Sequence, residues 1–326
     1  MERKTILEFL GDDWIRTGDL IRSSLDSDIE LLNWTNGYIL EHAGKQLRPM
    51  LSLLMARACG TGTLTGDTVR YAAAVELLHN ATLLHDDVAD GSKTRRGVPT
   101  VASILDPTHS VLLGDYWLVK AVGLVLDADD NVMEVVRLFA DTLTRLAEGE
   151  MFQLQKASSG DTSEEDYLRI IGDKTGSLFE TACLSAAISV GASAGIRQVA
   201  REYARNLGLA FQIKDDILDY DGGDIGKPAG VDVRERKITL PLLGALRSAD
   251  DALQAEIREK VRQVGEHPGF AEDVIGFVRD YGGTVYAQER LLEFSQRAKE
   301  SLAPLPDTPA KDFLVALATF TEERKR

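Results

Sequence analysis

What most limits this chain is its hydrophobic rhythm. Apolar residues return every three to four positions through most of its length, and no segment shows a convincing strand alternation. Such a chain buries apolar stripes helix against helix, so the expected fold class is all-α, a single large helical bundle. Helices are expected over about 5–10, 19–41, 47–59, 66–90, 109–127, 130–157, 164–190 and 195–220, with five more between 238 and 322. The breaks fall at Gly60 to Gly62, Gly91 to Pro99, Ser158 to Gly160, Gly222 to Pro228 and Pro304 to Pro309. None is long or low in complexity, so one domain over 1–326 is expected. The stretch Ala182 to Gly195, rich in Ala, Ser and Gly, predicts close backbone packing. A composition of 44% hydrophobic and only 6% aromatic residues suits a helical core.

Fifty-two acidic residues against 37 basic ones leave a net charge of −15. That field argues against a nucleic-acid partner and against general attraction to an anionic membrane. A polyanionic substrate would have to be held locally, by basic side chains and metal. The first residues, MERKTILEFLGDDW, lack the apolar run of a signal peptide, and no run of 18 apolar residues predicts a transmembrane helix. Cys59 and Cys183 lie in apolar helical context and read as packed thiols of a reducing compartment, so a cytoplasmic location is expected.

Chemistry concentrates in residues 73–99, AAVELLHNATLLHDDVADGSKTRRGVP. On a helix His79, Asp86 and Asp90 stand at i, i+7 and i+11 and point the same way. Asp86 and Asp90 are one turn apart, about 5–6 Å between Cβ atoms, and two carboxylates that close favour a cation between them. Hard oxygen donors suit Mg²⁺, which fills its remaining shell with water and phosphate. Arginines just past the helix end offer bidentate contacts to that phosphate. A second such pattern follows: in LAFQIKDDILDYDGGDIGKP, Gln212, Asp215, Asp216 and Asp219 share a face. If the two acidic helix ends faced each other across a bundle, they would cage two or three divalent ions.

At these residues the sequence resembles the trans-isoprenyl diphosphate synthases. LLHDDVADGSKTRRGVPT at 83–100 and FQIKDDILDY at 211–220 are similar to the family's two aspartate-rich motifs. GKQLRP at 44–49, LLGDYWLVKA at 112–121, Lys174-Thr175, GKPAGVDVRERKITLP at 226–241 and RKR at 324–326 resemble further family blocks, in the family's order. Ala43 stands where a second glycine is common, and Gln46 where a basic residue is common. The resemblance implies an isoprenoid synthase-type bundle around a central cavity. It also implies Mg²⁺-dependent condensation of isopentenyl diphosphate with an allylic prenyl diphosphate, with Asp86, Asp90, Asp215, Lys174 and Lys227 as catalytic residues. By the same resemblance Asp86, Asp87, Asp90, Asp215, Asp216 and Asp219 belong to the metal sites. Arg95, Lys174, Thr175, Gln212, Lys227 and Lys237 would hold the allylic diphosphate. Lys45, Arg48, His79 and Arg96 would hold that of isopentenyl diphosphate. A homodimer is implied too.

Product length in that family depends on side chains just below the first motif. Ala81 and Thr82, five and four residues before Asp86, are not aromatic. The helix back to Asp67 would line a channel of roughly 28 Å at 1.5 Å per residue. A medium- or long-chain product of the hexa- to octaprenyl class is therefore expected, with Phe139 or Phe152 as candidate floor. Alternatives are a short-chain (farnesyl or geranylgeranyl) synthase and the catalytic subunit of a heteromeric synthase. A related terpene cyclase would not need Lys45, Arg48 and Arg96. An HD-type metal phosphohydrolase, suggested by His79 and His85-Asp86, leaves the second aspartate motif without a reason.

Overall fold

The computed structural model describes residues 3–60, 64–221 and 230–324, and helix dominates them. The all-α expectation holds, with one departure among the described residues: Thr94–Arg95 pairs antiparallel with Val98–Pro99. Arg96 and Gly97 form the turn with φ of 53° and 82°. Two successive positive φ values match the twist of a two-residue hairpin, which single-residue patterning does not reveal.

Two expected helices are divided. The span 19–41 becomes Asp12–Ser24 and Glu30–Glu41. Between them Asn33 accepts from Ser27 N (3.1 Å) and donates to Ser27 O (2.6 Å), a side-chain bridge that competes with the helical ladder. The span 164–190 becomes Glu164–Ile171, a π-helical turn Gly172–Gly176, and Ser177–Ser189.

The chain packs as two compact units. The first comprises Met1–Ala140, Thr181–Arg201 and Pro304–Leu314; the second Asp141–Glu180, Glu202–Ala303 and Val315–Arg326. At the centre of the first stands Gly66–Ala89, packed on Pro107–Leu126, Leu47–Ala58 and Asp12–Ser24. It is apolar on nearly every face, as a helix surrounded by others must be. Thr65 and Thr68 cap its start reciprocally, and Asp90 ends it before Gly91 at φ 61°. Ala182, Cys183, Ser185, Ala186 and Ala187 are fully buried, as their size predicts. Burial pushes the Cys59 thiol up to about 12 and Cys183 up as well, so neither is a ready nucleophile. Pro107–Leu126 is long and apolar enough to cross a membrane by length and composition, although 39% of that window is buried in the protein.

The second unit closes around Ile213, Ile217, Leu240, Leu243, Val274 and Leu291. Here glycine is a steric requirement: a Cβ on Gly208 would stand 2.8 Å from Gly176 Cα. Gly208→Ala is expected to destabilise by about 1–3 kcal/mol through overpacking. Urea unfolding measures this, and an unchanged midpoint would mean the two backbones are not in contact.

Candidate active site

In the first unit the basic hairpin folds back on the helix that precedes it. Arg95 Nε donates to Asp87 Oδ1 at 2.7 Å, and Arg96 Nη1 to His42 O at 3.0 Å. Gly44, at φ 69°, makes room for the second contact, since a Cβ there would lie 2.7 Å from Arg96 Cζ. Arg48 and Arg96 act on buried Glu76. Burial raises the pKa of Glu76, while those two guanidinium groups and a hydrogen bond from Asn80 oppose the rise. His79 Nδ1 is enclosed without a hydrogen-bond partner. Desolvation, then Arg48, Arg96 and Arg95, push this imidazole well below 6.5, so the ring is neutral at pH 7. A neutral ring beside three guanidinium groups is a setting for an anion.

The expected stripe of aspartates divides by environment. Asp86 is half-buried and Asp90 exposed at the helix end, while Asp87 is buried against Arg95. Burial raises the Asp87 carboxyl, and Arg95 opposes that rise. His85 turns away, with Nε2 3.3 Å from Asp115 Oδ1.

The second unit contains a cleft of about 130 Å³ lined by Lys174, Thr175, Gln212, Asp216, Lys237, Tyr167 and Asp232, among others. A hydrogen-bonded chain runs through it. Thr175 Oγ1 donates to Gln212 Oε1 (2.7 Å), and Gln212 Nε2 to Asp216 Oδ1 (2.8 Å). Tyr167 OH donates to Asp216 Oδ2 (2.7 Å). Lys174 pairs with Glu150 and donates to Gln153 Oε1 at 3.2 Å. Lys237 pairs with Glu235 at 2.5 Å. Asp219 accepts from Val231 N and Asp232 N, both at 3.1 Å, and so caps the short helix Val231–Arg234. Arg324 Nη2 reaches Asp215 Oδ1 at 2.5 Å and Phe211 O at 2.8 Å.

Do these residues fit a divalent cation? Their donors are carboxylate oxygens, the type that Mg²⁺ takes. Burial first, then neighbouring carboxylates, push Asp216 well up and Asp232 up to about 7; burial raises Asp219 as well. A nearby cation would offset that cost, so the donor set fits chemically. Among the described residues no three His, Cys, Asp or Glu side chains form a metal-holding group by themselves.

The structure thus brings Lys174, Thr175, Gln212, Asp216 and Lys237 together, and separately gathers Arg48, His79, Arg95 and Arg96. Lys45 adjoins the second group through the Gly44 loop, and Asp215 and Asp219 flank Asp216 on one helix. Lys227 lies outside the described residues. Sequence reasoning missed Glu76, Tyr167 and Glu150, and gave no role to Asp232 and Arg324 although both stand in blocks that resemble the family's. Of the three missed, Glu76, an acid three residues before His79 in an apolar run, had a readable signal.

The family model for polyprenyl synthetases matches residues 29–276. The chain is 35% identical over 329 residues to the octaprenyl diphosphate synthase of Escherichia coli strain K12, covering all of both chains. It is similar to the crystal structure of a decaprenyl diphosphate synthase from Rhodobacter capsulatus, with a TM-score of 0.91 and 36% identity over all of both chains. A second similar structure is a polyprenyl synthase from Caulobacter crescentus CB15 complexed with calcium and isoprenyl diphosphate. There the TM-score is 0.90 and the identity 33%, over 100% of this chain and 98% of that one.

A pH dependence follows from Asp232. Its folded pKa of about 7 lies above the ordinary carboxylate value of 3.8, so the folded protein holds the proton longer than the unfolded one. Stability from this group is full below that ordinary value and is lost as pH rises through about 7. Relative to Asp232→Asn, the metal-free parent should therefore lose stability from pH 4.5 to 7.5 in urea unfolding. A parallel pair of curves would contradict the enclosure of that carboxyl.

Proposed function

This chain belongs to the polyprenyl synthetase family, and on that premise we propose that it extends an allylic prenyl diphosphate by head-to-tail (1′-4) condensation with isopentenyl diphosphate. It is a trans-prenyltransferase, and its product is an all-trans polyprenyl diphosphate of medium or long chain, in our reading hexaprenyl to octaprenyl. The observation that carries the reading is the meeting of Lys174, Thr175, Gln212, Asp216 and Lys237 in one cleft.

Lys174, Thr175, Gln212, Lys237 and, by its motif, Lys227 bind the allylic diphosphate. Arg95, held in shape by Asp87, is assigned to the same diphosphate by its motif. Ammonium groups fixed in advance stabilise charge that builds on the leaving oxygen as the C–O bond breaks. When bound, magnesium, as two or three ions on Asp86, Asp87, Asp90, Asp215, Asp216 and Asp219, neutralises diphosphate charge as a Lewis acid. The calcium in the Caulobacter crescentus complex supports a divalent requirement. Lys45, Arg48, Arg96 and neutral His79 hold isopentenyl diphosphate, whose double bond attacks the allylic cation. Apolar helix walls keep water from that cation, and the released diphosphate takes the proton lost at the end.

One catalytic domain over 1–326 is part of this proposal, supported by a family model that matches residues 29–276 without a break. Buried Ala81 and half-buried Thr82, whose hydroxyl donates to His79 O at 2.8 Å, support a tunnel open below the first motif. Of the candidate floors, Phe139 is buried, whereas Phe152 carries Lys156 and Arg169 over its ring. Leu112, Val119 and Leu126 repeat every seven residues and are 62%, 68% and 54% exposed, a seam that supports a homodimer. The unbridged, packed cysteines support a cytoplasmic setting.

Labelled isopentenyl diphosphate, Mg²⁺ and alternative primers, followed by sizing of dephosphorylated products, test the activity. Asp86→Ala and Asp215→Ala should each cut turnover by roughly 10²-fold or more with an unchanged helical circular dichroism spectrum. Parent-like turnover in either removes that aspartate from the metal site. Ala81→Tyr should shorten the product; undiminished length means the tunnel runs elsewhere. Val119→Glu should convert a dimer to a monomer by light scattering, and a persistent dimer would place the interface on another face.

A further inference from the structure

The π turn Gly172–Gly176 bears Lys174 and Thr175, both of which line the cleft. Such turns are rare, widen the helical ladder and tend to occur at functional sites. This one is wedged between two glycines. A Cβ on Gly149 would stand 2.9 Å from Asp173 Cβ and 3.1 Å from Lys174 Cγ, and Gly208 abuts Gly176 as described above. One helical turn before Gly149 stands Arg145, whose guanidinium grips the first two residues of the widened turn and one beyond it. Its Nε donates to Asp173 Oδ1 (2.9 Å) and its Nη2 to Gly172 O (3.1 Å). Glu180, nearly buried beyond the turn, takes Nη1 on Oε2 (3.1 Å) and Nη2 on Oε1 (3.3 Å). Ser177 Oγ donates to Asp173 O at 2.5 Å, adding a side-chain donor to a second carbonyl of the turn. Arg145 is not among the residues that line the cleft.

We propose that Arg145, clamped by Glu180, is a positioning residue: it braces the π turn so that Lys174 and Thr175 face the allylic diphosphate. The inference rests on the assignment of those two residues to that diphosphate. The planar fork matters, because a lysine reaches one acceptor where the guanidinium here reaches Asp173, Gly172 and Glu180 together. Loss of the brace leaves Lys174 in the chain with its contacts to Glu150 and Gln153, but on a turn that no longer holds its backbone in one place.

Calorimetry with Mg²⁺ and the unreactive thiolo analogue of geranyl diphosphate, beside steady-state kinetics, tests this. Lys174→Ala should weaken analogue binding by about tenfold or more, and Arg145→Gln and Arg145→Lys by about five- to tenfold. The KM for isopentenyl diphosphate should stay within about twofold, whereas general destabilisation would lower the active fraction and leave the ratio of the two KM values alone. In a Lys174→Ala background, Arg145→Gln should add less than about twofold, since it acts through that lysine. Parent-like binding in Arg145→Gln, or effects that multiply fully in the double variant, overturns the brace while the Lys174 assignment stands. Parent-like binding in Lys174→Ala overturns that assignment and the brace with it. Should Arg145→Gln fail to fold, Glu180→Gln removes half the clamp at nearly constant shape and is expected to show the same selective loss; parent-like binding there overturns the brace.

Discussion

Charge held where water is scarce must find a partner, and much of the polar architecture here follows from that requirement. Asp216 is buried between Tyr167 and Gln212. Glu76 is buried beside Asn80 under the influence of Arg48 and Arg96. Arg145 is surrounded by Asp173, Glu180 and a backbone carbonyl. Asp216 and Glu76 are buried, and Arg145 is half-buried. Removing one partner would leave the other enclosed, which costs far more than losing an exposed pair.

The same requirement bears on the proposed diphosphate sites. Lys174 rests against Glu150 and Gln153, and Asp215 against Arg324, so the charges of the proposed sites are already held in place. Preorganised charge of this kind does not have to reorient as charge moves during reaction, which is where polar sites gain over water. His79, kept neutral by its surroundings, adds a ring that offers a donor or an acceptor without adding a further positive charge.

Departures from regular helix gather at the same places. The hairpin turn at Arg96 and Gly97 and the π turn at Gly172–Gly176 both carry residues of the proposed diphosphate sites. A regular α-helix puts neighbouring residues 100° apart, so presenting Lys174 and Thr175 together to one cleft benefits from a local change of pitch. Glycines at 44, 149 and 208 supply the room such irregular backbone needs beside its neighbours.

Fold class, most helix positions and the two aspartate motifs were legible in the sequence, because periodicity, capping residues and i, i+4 spacing are local properties of a chain. So was the difference in direction between His85 and Asp86, a matter of 100° per residue. What only the tertiary structure decided is which partner each charge meets. Asp87 lies against Arg95, eight residues away, but Tyr167 reaches Asp216 across 49 positions and Arg324 reaches Asp215 across 109. The split of 164–190 at a π turn belongs to the same class, since its glycines, Arg145 and Glu180 act only once packed. Spacing along a helix dictates which side chains share a face; burial and long-range pairing dictate what those side chains can do there.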